Sequence, residues 1–213
     1  MSTEGSSHPS RSQTGGWYSR GYLPHFDTEH VIQHVTFHLA DSLPADALAR
    51  LDAEVATNAS ASHDTERRKR IDDWIDAGHG CCLLRAPDSA QLVQDALLFF
   101  DGERYRLCAW VVMPNHVHAL FQTMAGWELA RIVGSWKSFT GRRLSKLSEA
   151  LPGLVASGPV WHRDYWDRFI RDEQHFQTVR HYIHDNPVKA GLVSRPEDWN
   201  WSSARLSSDS RAG

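Results

Sequence analysis

Cysteine is scarce. Cys81, Cys82 and Cys108 are the three in 213 residues, and none belongs to a C-x-x-C pair. This excludes a disulfide framework and a zinc knuckle, and it fits a reducing compartment. Long apolar runs are also missing, since no stretch approaches the ~20 residues of a membrane span. Met1–Gly16 is polar and Ser/Gly-rich, without the apolar region of a signal peptide. A cytoplasmic location is the expectation. Internal repeats are absent. So is an excess of positive charge: a net charge of −3 excludes a surface coated uniformly in basic groups.

The distribution of charge is more informative than its total. Residues 1–103 hold 8 Lys/Arg against 16 Asp/Glu, and residues 104–171 hold 10 against 4. An acidic chain therefore carries a basic middle third, where an anionic partner such as nucleic acid could bind. Tryptophan and histidine are plentiful, at 9 and 13. Trp serves a core or offers a flat ring to a base.

The length suits one globular domain with tails. Residues 1–20 read as a disordered arm, 21–205 as the domain and 206–213 as a flexible tail. From His30 to Leu39, Val35, Phe37 and Leu39 alternate with His34, Thr36 and His38, which predicts a half-buried strand. Residues 45–76 read as helical, with a polar interruption at Thr57–Asp64. Gly78–Gly80 is a turn, Cys81–Arg85 a short strand and Pro87–Asp101 a helix. Tyr105–Val112 and His116–Gln122 are strands hinged at Met113–Asn115. Leu129–Leu147 is an amphipathic helix with Leu129, Ile132, Trp136, Phe139 and Leu147 inward. The stretch WHRDYWDR reads as irregular, and a helix follows from about Asp172 to Asn186, stopped by Pro187. Trp199 and Trp201 are expected to pack back on the body. The order predicts an α+β fold: a small sheet with helices on one face and a ligand face opposite, for which a ferredoxin-like arrangement is a natural solution.

The sharpest local feature is Met113-Pro114-Asn115-His116-Val117-His118. Two histidines at i and i+2 on a strand share a face and can donate to one divalent ion. A histidine-triad hydrolase needs a third His at the next alternate position, which is Leu120. A cupin site needs a Glu and a further His in a barrel. An HUH endonuclease instead pairs the two His with a tyrosine nucleophile on a separate helix. Among Tyr18, Tyr22, Tyr105, Tyr165 and Tyr182, helical spacing favours the last. Phe176, Val179 and Ile183 form one stripe of its helix, and His175, Thr178, Tyr182 and Asn186 an adjacent one. Asn186 lies one turn after Tyr182, so amide oxygen and phenol can approach one point. Tyr165 remains the alternative nucleophile.

PNHVH, WKSFTGRR, YWDRFIRDEQHF and YIHDNPVKAGLV together resemble the single-tyrosine HUH transposases, and more narrowly the REP-associated tyrosine transposases related to IS200-like elements. The resemblance spans about residues 20–205. It implies a ferredoxin-like fold, His116, His118 and Asn186 as ligands of Mg²⁺ or Mn²⁺, Tyr182 as nucleophile, and residues 45–80 as a helical, variable insertion. It also implies cleavage and rejoining of single-stranded or hairpin DNA, of the REP-like palindrome type, through a 5′-phosphotyrosine. Lys137, Arg142, Arg143 and Lys146 would neutralise phosphates, and Trp166, Arg168 and Arg171 would stack on bases or grip the backbone. His175, His181 and His184 are candidates to assist the tyrosine. A monomer and a homodimer both fit. Two other readings compete: a hairpin-DNA-binding regulator with little cleavage, and a nuclease that releases its products by hydrolysis.

Overall fold

The computed structural model describes residues 16–19, 24–27, 31–43, 70–149 and 158–209. Most of the expected arm and of the helical stretch over 45–76 therefore lies outside the described residues. At the N-terminal end, β1 (Gly16–Ser19) and β2 (Pro24–Asp27) pair antiparallel in a sheet of their own.

Alternation builds the main sheet. Along β3 (Ile32–His38), Val35 and Phe37 enter one core while His34, Thr36 and His38 face the other way. β4 (Tyr105–Val112) and β5 (His116–Thr123) form a hairpin closed by the Met113 amide donating to the His116 carbonyl (2.8 Å). With β6 (Trp166–Phe169) the order is β4-β5-β3-β6, every neighbour antiparallel. Among the described residues five helices accompany it: α1 over residues 70–76, α2 (Pro87–Leu98), α3 (Leu129–Glu149), α4 (Glu173–Lys189) and α5 (Ser203–Asp209). β3-α2-β4-β5-α3-β6 is the ferredoxin-like arrangement that the sequence predicts.

The two faces of the sheet have different cores. On the α2/α3 side, Val35, Phe37, Val117, Ala119 and Phe121 pack with Leu97, Ile132 and Trp136. Phe37 stands edge-on to Trp161 (4.8 Å between ring centroids) and 6.4 Å from Trp136. Two polar tips in this core are joined: Trp136 Nε1 donates to Tyr105 Oη (3.0 Å), which donates to the Leu97 carbonyl (2.7 Å). On the opposite face, Ala109, Val111 and Leu120 receive Val179 and Ile183 of α4. Val117 thus points into one core while His116 and His118 point beneath α4.

The structure departs from the sequence reading at several places. Leu83–Arg85 is a 3-10 turn and not a strand. Gly80 (φ +89°) and Cys82 (φ 51°) bend the chain there, and the Leu84 amide donates to the Pro114 carbonyl (3.0 Å). A Cβ at Gly80 would lie 2.6 Å from the Asp41 carbonyl oxygen, so only glycine permits this close approach. Phe139 is 38% exposed, because Thr140 takes the inward position, accepting from Trp161 Nε1 (2.9 Å). α4 continues through Pro187 to Lys189. A proline in the last turn forfeits one backbone hydrogen bond, and the Leu192 amide caps the Pro187 carbonyl (2.9 Å). Within WHRDYWDR, Trp166–Phe169 is a strand, ordered by pairing with β3. Trp199 and Trp201 do return to the body: Trp199 Nε1 donates to the Val112 carbonyl and the Val112 amide to that of Trp201 (each 2.9 Å). Among the described residues no helix is long and apolar enough to cross a membrane.

Candidate active site

β5 sets the site because its period-2 geometry sends His116 and His118 to the α4 face, both buried. Their rings lie 4.7 Å apart. His116 Nδ1 lies 2.8 Å from Asn115 Oδ1, and His118 Nδ1 lies 2.8 Å from Thr36 Oγ1 and 3.2 Å from His34 Nε2. Each ring is thus held through Nδ1 and presents Nε2 to the space under α4. Burial keeps both rings neutral by lowering their basicity, that of His116 to about 3.

α4 supplies the opposite wall. Asp172 caps its start, accepting from the His175 amide (2.7 Å). Val179 and Ile183 seat it on the sheet, and this fixes the rotation that points Tyr182 and Asn186 at the histidines. The Tyr182 ring centroid lies 5.3 Å from that of His118 and 6.2 Å from that of His34. Asn186 is buried, with Nδ2 3.4 Å from His118 Nε2.

α1 adds a residue that sequence reasoning missed. Asp76 Oδ1 lies 3.4 Å from His116 Nε2, and Oδ2 accepts from the Tyr182 hydroxyl at 3.4 Å. Asp76, His116 and His118 each offer a ligand atom within 4.8 Å of the others. Burial raises the Asp76 carboxyl above its ordinary range. Burial also raises the Tyr182 phenol, with the Asp76, Asp72 and Asp73 carboxylates adding to the effect. Lys189 Nζ lies 4.8 Å from the centre of the Tyr182 ring.

The donor set fits a divalent cation. Among the described residues, His116 Nε2 and Asn186 Oδ1 are buried with no hydrogen-bond partner, which is costly unless something else satisfies them. Turning the Asn186 amide over would bring its oxygen to the position that Nδ2 holds beside His118 and Asp76. Two imidazoles with carboxylate and amide oxygens suit a hard or borderline ion.

The predicted DNA-contacting residues divide between two concavities. Lys137, Arg142, Arg143 and Lys146 line a groove of about 1320 Å³ between α3 and residues 158–165, together with Arg163. Lys137 is partly engaged there: Nζ donates to the Arg163 carbonyl (2.7 Å), and burial pulls its basicity down to about 8. Arg143 lies over the Phe139 ring. Trp166, Arg168 and Arg171 line a smaller pocket of about 350 Å³ beside Tyr182, with His34, Asp72 and His175. Trp166 is a wall of that pocket, its ring stacked on His38 (4.9 Å). Of the histidines considered as assistants, His184 contacts Ser203 Oγ (2.9 Å), His181 is exposed and His175 reaches the pocket at the start of α4.

The other tyrosines stand elsewhere. Tyr105 and Tyr165 are buried in the α2/α3 core, Tyr18 is on β1 and Tyr22 lies outside the described residues.

The sequence and the fold have known counterparts. Residues 97–186 match the family of IS200-like transposases, a span that includes the histidine pair, Tyr182 and Asn186. Over that span the chain is similar to the IS200-like transposases. It is 26% identical over 113 residues to the REP-associated tyrosine transposase of Escherichia coli, covering 53% of this chain and 62% of that protein. It is 31% identical over 105 residues to a Haemophilus influenzae protein assigned to the same group, covering 46% of this chain and 58% of the relative. The matches thus span about three fifths of those curated relatives. In fold, the chain resembles a REP-associated tyrosine transposase solved bound to a REP hairpin, with a TM-score of 0.50 at 17% identity, covering 87% of this chain and 81% of the other. The resemblance drawn from the sequence motifs holds in sequence over about half of the chain and in fold over 87% of it.

Asp76, His34 and Asn115 are the members of the site that sequence reasoning passed over. One signal for Asp76 was present. In Ile71-Asp72-Asp73-Trp74-Ile75-Asp76, apolar residues at i and i+4 are each followed by an aspartate, which places Asp72 and Asp76 beside the buried stripe.

Proposed function

We propose that the chain is a DNA transposase that cleaves and rejoins single-stranded or hairpin DNA through a covalent tyrosine intermediate. The observation that carries this reading is the placement of Tyr182 and Asn186, one helical turn apart, against His118 and Asp76. The Tyr182 phenol oxygen attacks a backbone phosphorus, forming a 5′-phosphotyrosine, and the bond to the 3′ oxygen breaks to leave a 3′-OH. The phosphoester count is unchanged, so a second 3′-OH can reverse the step without ATP. Asp76 Oδ2 accepts the phenol's hydrogen bond and orients the nucleophile. His116, His118 and Asn186, joined by Asp76, would hold a Mg²⁺ or Mn²⁺ ion, which supplies polarisation of the scissile phosphate.

In the same reading the basic groove along α3 takes the nucleic-acid backbone, with Arg142, Arg143 and Lys146 at its surface and Lys137 at its wall. The pocket lined by Trp166, Arg168 and Arg171 takes the strand next to the scissile phosphate. A REP-like hairpin is the substrate class, supported by the hairpin bound to the relative of similar fold.

The test is incubation with end-labelled hairpin and single-stranded DNA in Mn²⁺, followed by a denaturing gel. The expected result is a labelled protein band that Tyr182→Phe abolishes. A band that survives Tyr182→Phe and disappears in Tyr165→Phe overturns the assignment. Binding without any band in the native chain supports a hairpin-binding regulator instead.

A further inference from the structure

Asn115 is 1% exposed at the turn between β4 and β5, one residue before the histidine pair. Its side chain is committed on both sides. Nδ2 donates to the Ile75 carbonyl (3.0 Å) and to the His79 carbonyl (3.1 Å). Backbone carbonyls only accept, so the amide nitrogen must face them and Oδ1 must face the other way. Oδ1 meets His116 Nδ1 at 2.8 Å. An amide oxygen only accepts, so His116 Nδ1 carries the hydrogen. The neutral ring then has a bare Nε2, the atom that lies 3.4 Å from Asp76 Oδ1. The two carbonyls flank Asp76 in the chain, at Ile75 just before it and at His79 three residues after.

We propose that Asn115 is the positioning residue of this site: one amide selects the His116 tautomer with a bare Nε2 and ties the Asp76 segment to β5. The inference rests on the reading of His116, His118, Asp76 and Asn186 as a metal centre. Partners that orient a ligating histidine matter in proportion, since their loss typically weakens metal binding by about 10–100-fold. The same bonds join two segments forty residues apart in sequence. The close approach of Gly80 to Asp41 and the Cys81 amide on Asp41 Oδ2 (2.7 Å) hold the far end of that turn. Asn115 does so at the end that meets the ligands.

Two readouts on the full chain test this. Long-range ¹H–¹⁵N correlation on histidine-labelled, metal-free protein reports the tautomer, and the loss of the free Mn²⁺ signal in electron paramagnetic resonance reports affinity. The native chain is expected to show His116 protonated at Nδ1. Asn115→Ala is expected to shift the ring toward the Nε2-protonated form and to weaken Mn²⁺ binding about tenfold or more. Asn115→Asp retains the acceptor but sets a carboxylate against the two carbonyls. It should keep the tautomer and still lose Mn²⁺ affinity, and it carries the test if the alanine variant does not fold. A native His116 protonated at Nε2, or an alanine variant with unchanged tautomer and affinity, overturns the proposal. Native affinity in Asn115→Asp overturns the tether. If the native chain binds no Mn²⁺, the metal reading fails, while the tautomer result still decides what Asn115 does to His116.

Discussion

A histidine buried in its neutral form makes stability depend on pH. His38 is fully buried beside the site, with Nδ1 2.8 Å from the Leu39 carbonyl and its ring stacked on His162 (4.6 Å) and Trp166. Burial pulls its basicity down to about 3, with the neighbouring His162, His116 and Lys137 acting in the same direction. The unfolded chain therefore binds a proton below about pH 6.5 that the folded chain refuses. The stabilisation is fully present above that pH and is lost as pH falls toward 3. Each pH unit in that window costs roughly 1.4 kcal/mol for this residue. Urea unfolding at pH 7, 6, 5 and 4 should show falling stability, and His38→Gln should make the dependence shallower by about one proton. An unchanged dependence in the variant would show that the ring is not held neutral.

At the scale of elements, α4 is a lever whose seat on the sheet decides where Tyr182 points. Ile183 is fully buried against Val111 and Leu120, one residue after Tyr182. Ile183→Ala should cost about 2–5 kcal/mol, read as a lower midpoint in urea. It should also reduce covalent adduct at temperatures where the variant is still folded, because the side chain that fixes the helix's rotation is gone. Adduct yield that follows the folded fraction alone would assign Ile183 to stability only. The sequence showed this helix well, since the stripe of Phe176, Val179 and Ile183 beside Tyr182 and Asn186 is a local 3.6-residue pattern. The histidine pair was legible for the same reason, from the period-2 alternation on β5. What escaped depends on distance along the chain. Asp76 reaches His116 only because Gly80 passes close to Asp41 and Asn115 grips the carbonyls of Ile75 and His79. β6 is four residues long and becomes a strand through its partner β3, so no pattern of its own announces it. Thr140 displaced Phe139 from the inward position because a tryptophan N–H was waiting there, a hydrogen bond that hydrophobic periodicity does not encode.

For the molecule as a whole, the proposed function requires a chain of net charge −3 to hold a polyanion. Bulk attraction is weak, so affinity has to come from basic groups gathered locally. The groove along α3 gathers Arg142, Arg143, Lys146 and Arg163 at its surface, and the pocket beside Tyr182 gathers Arg168 and Arg171. In the proposed reading these places do different work. The groove holds the backbone away from the chemistry, and the pocket aligns the strand to be cut. Replacing Arg142 and Lys146 together by alanine should therefore weaken hairpin binding and flatten its salt dependence. The slope of log K against log salt should fall by roughly 0.7–0.9 for each phosphate that the variant leaves unneutralised. Mn²⁺ binding should not change, and adduct formation should recover when DNA is saturating. Replacing Arg168 and Arg171 should do the reverse, leaving most of the affinity while lowering adduct formation even at saturation. Fluorescence anisotropy over a salt series, paired with adduct gels at saturating DNA, separates the two. If both double variants lose affinity and adduct in the same proportion, groove and pocket are one binding surface and the division of labour between them is wrong.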